Sequence, residues 1–199
     1  MPRTKQRTGD LRDRILYAAL EILAVDGPMG VTTRRVAELA ATSPPAIYEL
    51  FNDKPGLIRA LYFEGFRRLE TTLRHLPSTD DPVADVSDVV VSLRSFALSN
   101  SSLFGLMYSR SFETFSPGRA EREIGDSTRR IIVERVDRCV QSDRLVGDPT
   151  DIAHALLAVA IGLATQEIGG WLGGTTATRE MRWRLSVDAL VRGFSLHTG

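Results

Sequence analysis

Apolar positions recur along this chain with the spacing of a helix. Ile15, Ala19, Ile22 and Leu23 fall at i, i+4, i+7 and i+8, which gives residues 11–25 one apolar face. Gly27-Pro28 closes that segment with the usual stop signal, glycine past the end and proline beyond it. Val36, Leu39 and Ala40 mark a short second helix begun by Thr32 or Thr33. Pro44-Pro45 then runs into Ile47, Leu50 and Phe51, and Asn52-Asp53-Lys54-Pro55 opens a long fourth helix reaching about Leu76. Further helices are predicted at about 83–99, 102–112, 118–144, 149–172 and 177–196, with PSTDDP (77–82) as a linker. No segment alternates with period two long enough to be a strand, so the predicted class is all-α. Three short N-terminal helices lead to a connecting helix and then a helical bundle.

The proline pair fixes a helix start. Proline is tolerated in the first turn, where its missing N–H has no intrahelical partner, and Ser43 offers a side-chain cap. Residues before proline avoid helical geometry, so Thr42 and Ser43 break the chain between two helices. Helix 33–40, a break at 41–43 and a helix from 44 make a helix-turn-helix. With Ile47, Leu50 and Phe51 turned inward, Pro44, Pro45, Ala46, Tyr48 and Glu49 face outward. That is how a short surface helix enters a DNA major groove.

Composition narrows the alternatives. The 199 residues are 43% hydrophobic and 25% charged with zero formal net charge, which suits one or two small domains with a true core. The single cysteine, Cys139, excludes an intrachain disulfide framework. No cationic-then-apolar leader is visible at the N-terminus, and the apolar run 152–165 reads as a core helix, so the expected location is cytoplasmic. Arg3, Lys5, Arg7, Arg12 and Arg14 outnumber Asp10 and Asp13, which suggests a basic DNA-binding arm, or simply a solvated terminus. His75, His154 and His197 lie too far apart in sequence to read as a ligand cluster, and no carboxylate pair has catalytic or metal spacing. Neither a metal nor a cofactor is expected.

Residues 12–61 resemble the DNA-binding region of the TetR family of transcriptional regulators, the likeness carried by ILYAALEILAVDG, VTTRRVAELAATSPPAIYELF and NDKPGLIRALY. Ala46-Ile47-Tyr48 and Phe51, followed three residues later by Lys54, carry most of that likeness. The resemblance implies a helix-turn-helix DNA-binding domain at 1–53, a connecting helix at 54–76 and a ligand-binding and dimerisation domain at 77–199. It implies DNA contacts by Arg3, Lys5, Arg7, Thr32, Thr33, Arg34, Arg35, Ser43, Pro44, Pro45, Ala46, Tyr48 and Lys54. Pro44-Pro45 and Glu49-Leu50 depart from the family's usual residues, so the base preference should differ from that of relatives.

SFALSNSSLFGLMYS (95–109) and AIGLATQEIGGW (160–171) are similar to the body of one family variety, often called the WHG type, although Ile161 stands where that type has histidine. The implied dimer seam uses Ala158, Gly162 and Gly169 with Val187, Leu190, Val191 and Phe194. Phe96, Phe104, Met107, Tyr108, Phe112, Phe115 and Trp171, with His154 or Gln166 for orientation, are either an apolar effector pocket or core. The expected function is a homodimeric repressor released from a palindromic operator by a small, largely apolar ligand. The competing readings are an all-α enzyme and a helical protein-binding adaptor.

Overall fold

A computed structural model describes residues 3–108 and 118–195, without the side chains of residues 3–8 and 120–122. Among these residues there are nine helices and no strand: α1 Arg3–Gly30, α2 Thr33–Leu39, α3 Pro44–Phe51, α4 Lys54–Arg74, α5 Pro82–Ser99, α6 Ser101–Tyr108, α7 Arg119–Gln141, α8 Pro149–Ile168 and α9 Thr176–Phe194. The all-α expectation holds, with two changes at the N-terminus. The first helix is not short, because residues 3–10, expected as a flexible arm, continue it. Gly27 does break it, with φ 66° and ψ −169°, and Pro28 starts one last turn. A positive φ of this kind favours glycine, which has no Cβ to clash.

The chain forms two compact units, residues 1–66 with 100–122, and residues 67–99 with 123–199; the division falls inside α4. In the first unit α1 packs against α2 and α6, and α2 against α3. Ile15, Ala19, Leu23, Val36, Ile47, Leu57, Ile58 and Leu61 are buried, which leaves the helix-turn-helix braced by the first half of α4. Leu39, counted with the apolar stripe of the second helix, is instead exposed.

In the second unit α8 packs against both α5 and α9. Asp148 caps α8, its carboxylate accepting from the N–H groups of Thr150 at 2.8 Å and Asp151 at 3.2 Å. Ile152, Ala153, Leu156, Ala160 and Ala164 form the buried stripe of α8. This is the one single helix among the described residues long and apolar enough to cross a membrane, with a mean hydropathy of 1.3 over its most apolar window. At 20 residues it ends at Ile168, short of the expected end near 172.

The stretch 77–82, expected as a linker, is tied into the second unit by α7. Arg135, itself buried, donates to the carbonyls of Pro77 at 2.9 Å and Leu76 at 2.8 Å, just past the end of α4. A cation at this place also suits the negative end of the helix dipole. Thr79 donates to Asp85 from its N–H and, at 2.7 Å, from its hydroxyl, while Arg138 bridges Asp85 and the Thr79 carbonyl. Burial pushes the Asp85 carboxyl up, but the bonds from Thr79 and Arg138 outweigh it and hold the group below the usual carboxylate range.

Candidate nucleic-acid interface

The turn between α2 and α3 is built from backbone bonds. The N–H of Thr42 reaches the Ala37 carbonyl at 2.9 Å, and the N–H of Ala41 reaches Glu38 at 3.1 Å. This is a Schellman motif. Its left-handed position is held by Ala41, at φ 49°, rather than by glycine. An L-residue there costs about 1–2 kcal/mol, so surrounding packing must hold the turn.

Ser43 occupies the N-cap of α3 in extended geometry, but its side chain makes no capping bond. This corrects the sequence expectation, and the prolines explain it. Pro44 and Pro45 carry no N–H, and the first N–H available, that of Ala46, already donates to the Ser43 carbonyl at 3.1 Å. The Ser43 hydroxyl is left exposed.

Helix α3 has two distinct faces. Ile47 and Phe51 are buried and Leu50 is half-buried, whereas Pro44, Pro45, Tyr48 and Glu49 are exposed and Ala46 is half-buried. The Arg12 guanidinium sits 5.3 Å from the centre of the Phe51 ring, bracing the helix from α1. The Tyr48 and Thr33 hydroxyls lie 3.4 Å apart, so two of the expected DNA-contacting side chains meet on one surface. Thr32 caps α2 by accepting from the N–H of Arg35 at 3.3 Å.

The arginine pair divides. Arg34 is exposed and has no hydrogen-bond or ion-pair partner among the described residues. Arg35 instead pairs with Asp26 and donates to the Gly30 carbonyl at 3.3 Å, which ties the start of α2 to the end of α1. Its contact with Asp26 competes with any phosphate. Arg3, Lys5 and Arg7 lie in α1, with side chains outside the described residues.

Lys54 is half-buried at the first position of α4. The Asp53 carboxylate accepts from the Gly56 N–H at 2.6 Å and caps this helix. Gly56 is required by proximity: a Cβ here would lie 1.8 Å from the Phe51 carbonyl oxygen. Asn52, at φ 72°, makes the tight passage from α3 into α4. The sequence expectation put Asp53 in the helix start without making it the cap, and gave Gly56 no role. The Asp-x-x-Gly spacing at 53–56 shows the cap, but nothing in the sequence shows the close backbone approach.

The residues expected to line one pocket are not gathered within either unit. Phe104 and Tyr108 stack with ring centres 4.8 Å apart, and Tyr108 meets Phe66 at 5.6 Å, so these with Met107 serve the core of the first unit. Burial among these rings pushes the Tyr108 hydroxyl pKa up. Phe96 is buried in the second unit, while His154, Gln166 and Trp171 are exposed, Trp171 by 79%. Phe112 and Phe115 lie outside the described residues. No metal-ligand cluster of His, Cys, Asp or Glu occurs among the described residues.

The expected seam residues are also of two kinds. Ala158 and Gly162 on α8 and Gly169 just past its end are exposed, whereas Val187 is buried and Leu190, Val191 and Phe194 are half-buried. The larger exposed apolar groups of α9 are Leu185, 66% exposed, and Met181, 52%.

A half-buried polar cluster absent from the sequence reading ties α5, α8 and α9 together. Arg94 donates to Glu167 from Nε at 2.8 Å and from Nη2 at 2.7 Å. The Trp183 indole N–H donates to the same carboxylate at 2.6 Å, and the Arg94 guanidinium lies 5.6 Å from the Trp183 ring centre. The Arg94 bonds, aided by Trp183, hold the Glu167 carboxyl below its ordinary range against the upward push of burial.

Comparison with known proteins agrees with this architecture. Residues 15–61 match the family model described as bacterial regulatory proteins, tetR family. Residues 86–190 match the model described as tetracyclin repressor-like, C-terminal domain. No curated protein matches the chain. A solved structure of a protein of unknown function from Rhodococcus sp. RHA1 is 28% identical, with a TM-score of 0.81 and coverage of 94% of this chain and 96% of that one. A bacterial regulatory protein in the tetR family, also from Rhodococcus RHA1, shares the fold at 19% identity and a TM-score of 0.69, covering 93% and 97%. A TetR variant from Acinetobacter baumannii AYE, solved in complex with minocycline, does so at 20% identity and 0.64, covering 90% and 93%. With both of its parts matched, this chain belongs to the TetR family of DNA-binding transcriptional regulators.

Proposed function

We propose that the protein is a homodimeric repressor that holds an approximately palindromic operator and releases it when a small, largely apolar ligand binds its body. The observation that carries this reading is the outward face of α3, where Pro44, Pro45, Tyr48 and Glu49 are exposed over a buried Ile47 and Phe51. Tyr48, Thr33, Arg34 and Lys54 supply phosphate contacts, which position the protein, and Pro44, Pro45 and Ala46 supply apolar contact in the groove. Glu49 is suited to accept from a cytosine amino group. Arg35 serves the α1–α2 joint first.

One recognition helix reads few bases, and a two-fold axis doubles the contact. The exposed small residues Ala158 and Gly162 on α8, with Met181 and Leu185 on α9, support a seam with a second copy. The relative bound to minocycline shows that this fold accommodates a ligand in that protein.

Footprinting and gel shifts on the DNA upstream of the protein's own gene test the reading. Lys54→Ala should weaken binding to every sequence alike and lower the salt slope by about one. Tyr48→Ala should weaken it as well. A monomer protecting one asymmetric half-site would overturn the symmetric model.

A further inference from the structure

Helices α5 and α9 both lean on α8 and leave between them a cleft of about 660 Å³. We propose that this cleft binds a small organic carboxylate with an apolar body. The proposal deepens the effector reading above, and rests on it for its regulatory meaning.

The volume falls within the range of about 300–1,000 Å³ usual for small-molecule sites. The walls are apolar: Val90, Val91 and Leu98 from α5, Trp183 and Val187 from α9. The floor is the Arg94–Glu167 pair, and its hydrogen bonding is lopsided. Glu167 is 5% exposed and already accepts from Arg94 twice and from Trp183, with Arg179 a further 3.5 Å away. Three of its about four acceptor positions are filled, and Arg179 stands beside the carboxylate. Arg94 spends Nε and Nη2 on Glu167, while its Nη1 has no partner among the described residues. The floor therefore offers more donors than acceptors.

Charge points the same way. Arg94, Arg179 and Glu167 give the floor one net positive charge; Glu167 is sheltered, and Arg94 and Arg179 are half-buried. Glu180, whose charge also acts on Arg94, stands with Arg184 and Asp188 at the exposed rim, where water and salt weaken its pull. A carboxylate meeting the outer edge of Arg94 satisfies the floor, and its hydrocarbon part fills the walls. Met181 and Leu185 do not line the cleft, although Arg184 and Asp188, their i+3 neighbours on α9, stand at its rim.

Calorimetric titration of the full chain with decanoate, 1-decanol and decylamine, without DNA, is the test. Decanoate should bind saturably, at least tenfold tighter than the alcohol or the amine. Each added methylene should tighten binding about fourfold. Val91→Trp, at a position 61% exposed, should fill the cleft and cost decanoate at least tenfold, with an unchanged melting temperature. Arg94→Lys keeps a cation beside Glu167 but loses the Nη1 edge, and should erase the preference for acid over alcohol. The proposal fails if decanoate does not saturate, if the amine binds more tightly, or if both variants bind like the parent. It fails equally if Val91→Trp dissociates dimers in sedimentation, since a second copy would then occupy the cleft. Decanoate that binds as described but leaves the operator complex intact would overturn only the effector reading.

Discussion

The two units hold their polar groups in opposite ways. In the first, the determining contacts are local and solvent-facing: Thr32 capping at Arg35, Asp53 capping at Gly56, and Arg35 paired with Asp26. In the second, they join residues distant in sequence and each has at least one partner withdrawn from water: Arg94 with Glu167, Arg138 with Asp85, and Arg135 on the carbonyls of Leu76 and Pro77. A DNA-reading surface must leave its polar groups free for phosphates and bases, so its stability comes from the apolar core behind it. The body has no such constraint and uses charge-assisted bonds to fix how its helices meet. An exposed ion pair contributes about 0–1 kcal/mol, whereas removing one partner of a buried pair costs several.

The hardest test of the first unit is therefore a backbone contact. Gly56→Ala places a Cβ against the Phe51 carbonyl and should cost about 3 kcal/mol or more, since neither backbone can move without unseating a helix. Thermal melts and operator binding should both show the loss. A neutral result would mean that the passage from α3 to α4 is looser than described.

For the second unit, Asp85→Asn keeps the shape but removes the charge that Thr79 and Arg138 answer. Chemical denaturation should reveal a loss of about 2 kcal/mol, moderated because Arg138 is partly exposed. Arg35→Ala, by contrast, should change stability by less than about 1 kcal/mol. Equal effects would erase the contrast between the units.

Acid sharpens the same contrast. Asp85 and Glu167 are both held below their ordinary pKa values, so the unfolded chain takes up more protons than the folded one in the acidic range. Their contribution should be complete above the unfolded carboxylate values, about pH 4 to 4.5, and disappear as pH falls through the lower folded values. Asp85→Asn should flatten the acid limb of the stability curve. A parent whose stability is constant from pH 5 to 2 would contradict the role given to these carboxylates.

The smallest expected change is Gly162→Ala. A Cβ there meets nothing within 4 Å, so alanine should stabilise the isolated helix by about 0.5–1 kcal/mol. If α8 is the seam, the same methyl should weaken dimerisation in sedimentation equilibrium. Stabilisation with no change in assembly would move the seam away from Gly162.

What the sequence determined by itself was whatever depends on near neighbours. The periodicity of Ile15, Ala19, Ile22 and Leu23, the stop at Gly27-Pro28 and the start at Pro44-Pro45 placed helices and the helix-turn-helix, because propensity and capping act within a turn or two. The outward face of α3 followed from the same spacing. Tertiary structure decided the rest. Ser43 lost its capping role because the only N–H in reach was taken, and Arg35 was drawn to Asp26. Glycine at 56 is required by a carbonyl five residues back, and the floor of the α5–α9 cleft joins Arg94 to Glu167 across 73 positions. The sequence shows which groups are polar; which of them meet depends on how the helices pack, and no periodicity encodes that.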